Sequence, residues 1–481
     1  MVFPIVGGNQ STGDFITNSL RFDRASSAAM SISSLSSGST TKATISAWIK
    51  RSGLGTDQRY WANYAGSADD RLQFGWQADD KLYIQHGDSV IFRTNQVFRD
   101  VSAWYHIVIA IDSTQGSNDN RVKAYLNGSQ ITSWGTFNTL TQNTEIFANN
   151  DKIIIGERET SDLFYDGYLA HLIQVDGSQL APTQFGETND NGVWVPIKYT
   201  GSFGTNGFKL EFKETGTSAN ASGIGADTSG NGKHFTLSNL TAIDVVTDTP
   251  QNNFAVFRPH GFPQDSRSVI SDGNLDFDFT GDGSVSGRRL SAHVVSNIGV
   301  TQGKWYAEFK LTEDANGGFV GVSNLSNKIH TGDIDSYNYL NTDAGNKYVR
   351  EKTGESESNA AHGAAVSVND IVQVALDADN RNVYFGKGGS WASGSGAWNQ
   401  ATPTSAVSYT ADFVTTDSHG VVVFNAAGAG SSETPRWQAN FGNPVHAISS
   451  GNSDANGHGN FEYAVPSGYY ALNTKNLAEF G

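Results

Sequence analysis

"YHIVIAIDSTQGSNDNRVKAYLNG", Tyr105 to Gly128, holds the fold in miniature. Its opening residues form a nearly unbroken run of β-branched side chains that ends on Asp112. A polar stretch then turns the chain, and Val122 to Leu126 returns toward Asn127-Gly128. A buried strand, a turn and a half-buried strand make an antiparallel hairpin. The figure recurs in the second half, where Val374-Ala375-Leu376-Asp377 leads through a shorter turn to "NRNVYFGKGG" (380–389). In both, the returning strand carries Tyr ahead of a Gly. Two copies of one hairpin so far apart imply two domains of one architecture.

The same style extends outward from the hairpins. "ATISAWIK" (43–50), "RLQFGWQ" (71–77), "KLYIQHG" (81–87), "KIIIGE" (152–157) and "GYLAHLIQV" (167–175) read as short strands between Gly, Asp, Asn and Ser turns. The second half adds "KWYAEFKLT" (304–312), "GGFVGVS" (317–323) and "GVVVFNAAG" (420–428). No long segment keeps a helical i, i+3, i+4 apolar pattern. The reading is all-β, two jelly-roll β-sandwich domains joined by a partly ordered connector.

Composition sets the outer bounds. A chain of 481 residues exceeds one ordinary core, and with no cysteine it has neither disulfides nor thiolate metal sites. Charged residues make up 17%, against roughly 25% in an average domain, and Ser, Thr, Asn and Gly fill the gap. The formal net charge of −16 argues against nucleic acid and anionic membranes as partners. No apolar run reaches the roughly 20 residues of a membrane span. The opening "MVFPIVGGNQSTGDF" has no basic leader with a long apolar stretch, so it does not read as a secretion signal.

One string nearly matches two ion- or phosphate-binding loops. "DTSGNGKH" (227–234) keeps the Gly232-Lys233 of a P-loop but has Asp227 in place of the first glycine and His234 in place of the hydroxyl. As an EF-hand it sets Asp227, Ser229, Asn231 and Gly232 correctly but has Ser238 where the bidentate glutamate belongs. No strand directly precedes it and no helical period follows, so it reads as a turn in the connector.

The first half resembles the LamG-like, concanavalin A-like lectin sandwich, through Trp48 in "ISAWIK", "WYHIVIAID" (104–112), "AYLNG" (124–128) and "FYDGYLAHLIQVDGSQLAPTQFGE" (164–187). The second resembles a SPRY-like sandwich, through "GKWYAEF", "GFVGVS", "VALDADNRNVYFGKGG", "QANFGN" and "PSGYYALNTKNL". The whole arrangement is similar to fibre and appendage proteins of tailed bacteriophages. That resemblance implies an N-terminal virion-attachment segment at 1–20, a LamG-like sandwich at 21–199, a connector at 200–264 and a SPRY-like sandwich at 265–481. It further implies a virion location with release by lysis, virion proteins as partners, host-surface glycan as a ligand, and a homo-oligomer, a trimer ahead of other states. The rival placements are a capsid decoration or head-fibre protein and a polysaccharide-degrading spike. A secreted adhesin would need an export signal.

Catalysis on such sandwiches needs paired carboxylates at fixed separation. "ERETSD" (157–162) and "EKTGESES" (351–358) lack the glucanase spacing and read as solvated loops, and no H-E-x-x-H or G-x-S-x-G occurs. The chain therefore reads as a binder and not an enzyme, with no cofactor expected beyond an optional calcium ion. Sugar rings stack on aromatic side chains. Trp134, Tyr337, Tyr339, Trp391 and Trp398 lie in loop-like contexts and are the candidate carbohydrate contacts, with aromatic caps or subunit contacts as the rival reading. Trp48, Trp104 and Trp305 read as core. Asp227 and Asn231 in the connector, and Asp276, Asp278 and Asp282 in "DFDFTGDGSVSG" (276–287), are the candidate calcium ligands, with turn formation as the rival.

Overall fold

The computed structural model describes residues 15–481 apart from 34, 36, 65, 67–70, 148–151, 160, 260–267, 280–291, 314–317, 325–335, 342–346, 352–357, 362–364, 394–396, 410–419 and 429–433. The fold is all-β, built of antiparallel sandwiches. Among the described residues the α-helices are the short Asn118–Arg121 and Thr474–Phe480. The chain divides into two compact units, with the boundary between Asn252 and Asn253.

In the first unit the long strand Lys42–Arg51 lies between Trp104–Asp112 and Gly167–Asp176, and Val122–Leu126 follows beyond Trp104–Asp112. The second sheet runs Trp134–Phe137, Ser89–Val97, Lys81–His86, Leu72–Trp76, Gln58–Tyr64, Lys152–Ile155, Ala29–Ile32 and Thr236–Ser238. Alternation decides which side chains meet between the sheets. Ile45, Ala47 and Ile49 join Ile107, Ile109 and Ile111 from one sheet, and Trp61, Phe74, Trp76, Ile84 and Ile153 come from the other. Each of these isoleucine and phenylalanine side chains contributes about 1.5–3 kcal/mol on burial.

The stretch read as a connector, 200–264, differs from expectation. Phe208–Leu210 pairs with Gly167–Asp176, Thr236–Ser238 extends the second sheet, and Val245–Val246 pairs with Ser19–Phe22. These strands are two or three residues long, too short for alternation to show in the sequence. They place the end of the first unit at Asn252.

In the second unit a seven-stranded sheet runs Phe257–Pro259, Ala292–Ser296, Val422–Gly428, Gly318–Asn324, Ser336–Asn341, Lys347–Glu351 and Ser358–Ala361. The other sheet is centred on Lys304–Glu313, between Arg436–Asn440 and Ile371–Asp377. Trp305, Phe309, Val322, Val374, Phe424 and Trp437 fill the space between.

The repeated hairpin is the same object twice. Tyr125 stands opposite Val108, and Tyr384 opposite Ala375. The turn-ending aspartates also match. Asp112 Oδ1 accepts the Thr114 N–H at 3.1 Å and Oδ2 pairs with Lys42 at 3.1 Å. Asp377 Oδ1 accepts the Asn380 N–H at 3.0 Å and Oδ2 pairs with Lys304 at 3.0 Å. Although burial pushes upward, the donors around Asp112 hold its carboxyl down at about 2. Each Asp thus fixes its turn and ties it to the first residue of the neighbouring long strand.

A simple sandwich would leave its outward faces wet, but here the outward side of Lys42–Arg51 is buried too: Thr44, Ser46, Trp48 and Lys50 are all covered. Phe185 and Tyr199 pack on Val108, Ile173 and Val175, while Ile16 packs with Trp48 and Ala170. Lys50 Nζ donates to Asp248 Oδ2 at 2.8 Å, with side-chain exposures of 0% and 1%. The Trp104 indole N–H donates to Asp248 Oδ1 at 3.2 Å. In the second unit Phe254, Phe461 and Tyr469 cover Tyr306, Ala375 and Trp391 in the same way. There Glu308 accepts four donors: Tyr306 Oη and the Tyr463 N–H on Oε1, and the Asn440 amide and the Glu462 N–H on Oε2. Burial pushes its carboxyl up to about 7 against the pull of those donors.

Removing one partner of a buried ion pair strands the other, at a cost of about 3–5 kcal/mol. Asp248→Ala should therefore destabilise the first unit by about that amount in urea unfolding, even though residue 248 lies in the stretch first read as a connector. A loss below about 1 kcal/mol, as for an exposed pair, would contradict the packing described.

Candidate functional site

The first constellation that looks chemical is a serine–histidine pair. Ser46 Oγ lies 2.8 Å from His106 Nε2, and both are buried on the outward side of the first sheet. The other ring nitrogen, Nδ1, accepts the Trp194 indole N–H at 2.9 Å. An acceptor at Nδ1 places the proton on Nε2, so the ring donates to Ser46 and cannot take its proton. The His106 ring also stacks on Trp48 at 4.7 Å, and burial lowers its pKa to about 3. The pair is a structural pin between sheet and covering layer.

The outward face of the second sheet is built differently. Arg71, Gln73 and Gly75 alternate with Leu72, Phe74 and Trp76, which face the core. Arg59 stands opposite Gly75, Gly75 opposite Tyr83, and Tyr83 opposite Arg93; Gln73 stands between Ala62 and Gln85. Direct opposition puts each row on one face. Arg59 Nε donates to Gln73 Oε1 at 2.9 Å, its Nη1 donates to the Gln58 and Trp76 carbonyls, and its guanidinium lies 4.5 Å from the Tyr83 ring centre. Among the described residues no carboxylate forms an ion pair with Arg59. Burial lowers its pKa, and raises that of Tyr83.

The turn that follows Lys152–Ile155 reaches this face. Arg158 pairs with Asp162, and Glu159 pairs with Arg71. Residues 157–162, read from sequence as a solvated loop, differ from that reading in part: Glu157 is buried and the Glu159 side chain is 5% exposed beside Arg71, while Ser161 is exposed and Arg158 and Asp162 are partly so. Desolvation raises the Glu157 pKa. Among the described residues Gln73 Nε2, Arg71 Nε and Glu159 Oε2 are buried and find no partner, and neither does Arg93 Nε farther along the face. Because Gln73 Oε1 is held by Arg59, its amide N–H₂ is committed to pointing away as a donor. Two donors and one acceptor without protein partners, close together on one sheet face, suit a ligand rich in hydroxyl groups.

The aromatic candidates fare unevenly. Trp134 lies on the edge strand of the second sheet, half-buried and stacked on Phe92 at 4.3 Å, with Phe137 stacked on Phe92 at 4.9 Å and 37% exposed. Tyr339 is a correction: it is a core residue packed on Phe385 and Trp398. Trp391 is another, buried beneath Phe254 and Phe461 with Tyr306. Both belong to strands, Ser336–Asn341 and Ser390–Ala392, where the sequence suggested loops. Trp398 is partly buried against the same core. Tyr337 stands opposite Val322 in the register. Trp48 and Trp104 lie on the covered outward face and Trp305 in the core.

The calcium candidates have other engagements. Asp227 accepts the Lys209 and Ser229 N–H groups on Oδ1, and the Ser229 hydroxyl and Lys233 N–H on Oδ2. Asn231 donates to the Gly204 and Gly207 carbonyls. The loop is thus a turn folded around its own aspartate. Asp276 is held by Arg436 on both oxygens and by the Gln438 amide. Asp278 is partly buried, with its pKa raised by desolvation. Asp282 lies outside the described residues. Among the described residues no group of three or more His, Asp or Glu is placed to hold a metal ion.

Residues 24–175 match the family model described as the concanavalin A-like lectin/glucanases superfamily. No curated protein matches the chain. Among solved structures, the native heptameric SAP-like pentraxin of Limulus polyphemus is similar over 35% of this chain and 80% of its own, at 15% identity and a TM-score of 0.28. The SPRY domain of human HERC1 is similar over 38% of this chain and 96% of its own, at 14% identity and a TM-score of 0.23. Domains LG4-5 of the mouse laminin α1 chain are similar over 92% of this chain and 85% of their own, at 8% identity and a TM-score of 0.30.

The buried histidine carries a pH signature. Between about pH 6.5 and 3 the unfolded chain binds a proton at His106 that the folded one refuses. Stability is therefore lost as pH falls through that window, by up to about 1.4 kcal/mol per pH unit. Equilibrium unfolding from pH 7 to 4 should show a shallower slope for His106→Gln than for the unaltered chain. Equal slopes would contradict a neutral His106.

Proposed function

We propose that this chain is a non-catalytic glycan-binding protein, carried on the outside of a tailed-phage particle as a fibre or appendage. Glycans meet it at the outward face of the second sheet of the first unit. The observation that carries the binding half is the trio Gln73 Nε2, Arg71 Nε and Glu159 Oε2, buried and without protein partners. A group left so costs about 1–3 kcal/mol, which a ligand's hydroxyls offset. The lectin superfamily match over residues 24–175 supports the same reading. The virion half rests on the resemblance of the whole domain arrangement to phage appendage proteins.

Polysaccharide cleavage is the rival, because Glu157 and Glu159 stand two residues apart and burial raises the Glu157 pKa. Arg71 favours the glycan-binding reading: it engages Glu159 through Oε1 as an ion pair and leaves Oε2 as an acceptor for a hydroxyl.

Gln73→Glu separates binding from folding. The new carboxylate keeps an acceptor for Arg59 Nε and gives that buried cation a counter-charge, but replaces the free donor with an acceptor. Calorimetric titration with oligosaccharides from host-surface polysaccharide should show at least about tenfold weaker binding, equivalent to 1.4 kcal/mol, with no loss of thermal stability. Unchanged affinity would remove this face as the site, and release of reducing ends on incubation would overturn the non-catalytic reading. Mass spectrometry of purified particles should find the chain among the virion proteins; its absence there would overturn the virion half.

A further inference from the structure

Residues 462–468 of the second unit run between two buried aromatic anchors, Phe461 and Tyr469, and are themselves partly or fully exposed. Two of their backbone groups reach the sheet beneath. The Glu462 N–H donates to Glu308 Oε2 at 2.9 Å and the Tyr463 N–H to Glu308 Oε1 at 2.8 Å. The Tyr463 ring lies over Gly389, in the turn between Asn382–Lys387 and Ser390–Ala392, where a Cβ would stand 3.3 Å from it. Val465 packs on the cluster that holds Tyr306 and Trp391. The stretch is a strap, pinned at both ends by aromatic rings and in between by one carboxyl group.

That carboxyl group has no counter-charge. Glu308 is 0% exposed, and among the described residues no Lys, Arg or His forms an ion pair with it. The titratable groups packed around it are Tyr306 on its own strand and Glu462 and Tyr463 on the strap, while the strands on either side bring the neutral Gln373 and Asn440. The Glu462 carboxylate is turned away, onto Ser449 with His446 beside it. Lys304 and Lys310 lie farther along the same strand, and Lys304 is engaged with Asp377. Beyond Tyr463, Asp370 pairs with Lys387. An ionised carboxylate buried without a counter-charge carries a desolvation cost that its neutral form escapes. The neutral form loses little in exchange, because the Tyr306 hydroxyl can turn to accept the carboxyl O–H.

We propose that residues 462–468 are a pH-responsive strap, closed over the sheet while Glu308 is neutral and opened as Glu308 ionises. Closure binds a proton that the open strap, with Glu308 in water, gives up. The sign follows from linkage: burial raises the carboxyl from an ordinary 4.5 to about 7, so the closed form is fully favoured below 4.5 and loses ground as pH rises through about 7. Between those values opening grows by up to about tenfold per pH unit. Opening lifts Tyr463 from Gly389 and Val465 from the aromatic cluster, with Phe461 and Tyr469 as the points from which the strap closes again.

Hydrogen exchange on the full chain, read by mass spectrometry with labelling times scaled at each pH to the intrinsic exchange rate, tests this. Opening of the peptide 462–468 should rise at least about tenfold from pH 5 to pH 8. Glu308→Gln cannot ionise, so its opening should be the same at both pH values, whatever its level. Where that chain does not fold, Tyr306→Phe decides. It removes a donor that holds the ionised carboxyl more strongly than the neutral one, so opening should increase more at pH 8 than at pH 5. Opening of the unaltered chain that does not change with pH, a pH dependence that survives Glu308→Gln, or a Tyr306→Phe chain loosened equally at both pH values overturns the proposal.

Discussion

The Lys50–Asp248 pair sits where a two-layer sandwich would have water. Two charges in that position are tolerated only because each is the other's partner and Trp104 adds a hydrogen bond. Around them Phe15 and Ile16, with Leu180, Phe185, Trp194, Tyr199 and Phe203, cover one outward face. The consequence is that the outward side of the first sheet of the first unit is covered by its own chain. The second sheet carries Arg59, Arg71 and Gln73 on its outward face, buried as well, with donors that have no partner among the described residues.

The second unit repeats this logic with different atoms. Glu308 replaces the ion pair: a single carboxylate gathers four donors and holds Glu462 and Tyr463 against the sheet. Its opposite sheet again has buried amide and hydroxyl atoms on the outward side. The duplicated hairpin, down to an Asp that caps its turn and reaches a lysine on the next strand, ties the two units to one architecture.

Much of this was legible in the sequence, and the limits are physical. The long strands show because alternation over eight or nine residues is unambiguous. Phe208–Leu210, Thr236–Ser238 and Val245–Val246 are too short to carry a period, so the first unit reads as ending before it does. Tyr339 and Trp391 look like loop residues because Asn, Gly and Ser surround them, yet both side chains are buried by the packing of residues distant in sequence. Arg71 and Gln73 were visible all along as the polar half of "RLQFGWQ". Alternation separates the apolar from the polar side of a strand, and does not tell a polar side chain in water from one that is covered. Glu159 was missed for a related reason: only the fold brings it to Arg71.

The central claim is that the outward face of the second sheet in the first unit meets glycan. Amide hydrogen exchange, compared with and without a saturating oligosaccharide from host-surface polysaccharide, tests it most directly. Protection concentrated in 58–64, 71–76 and 81–86 is the result predicted here. Protection confined to the aromatic edge at 134–137, or spread without preference over both units, would contradict it.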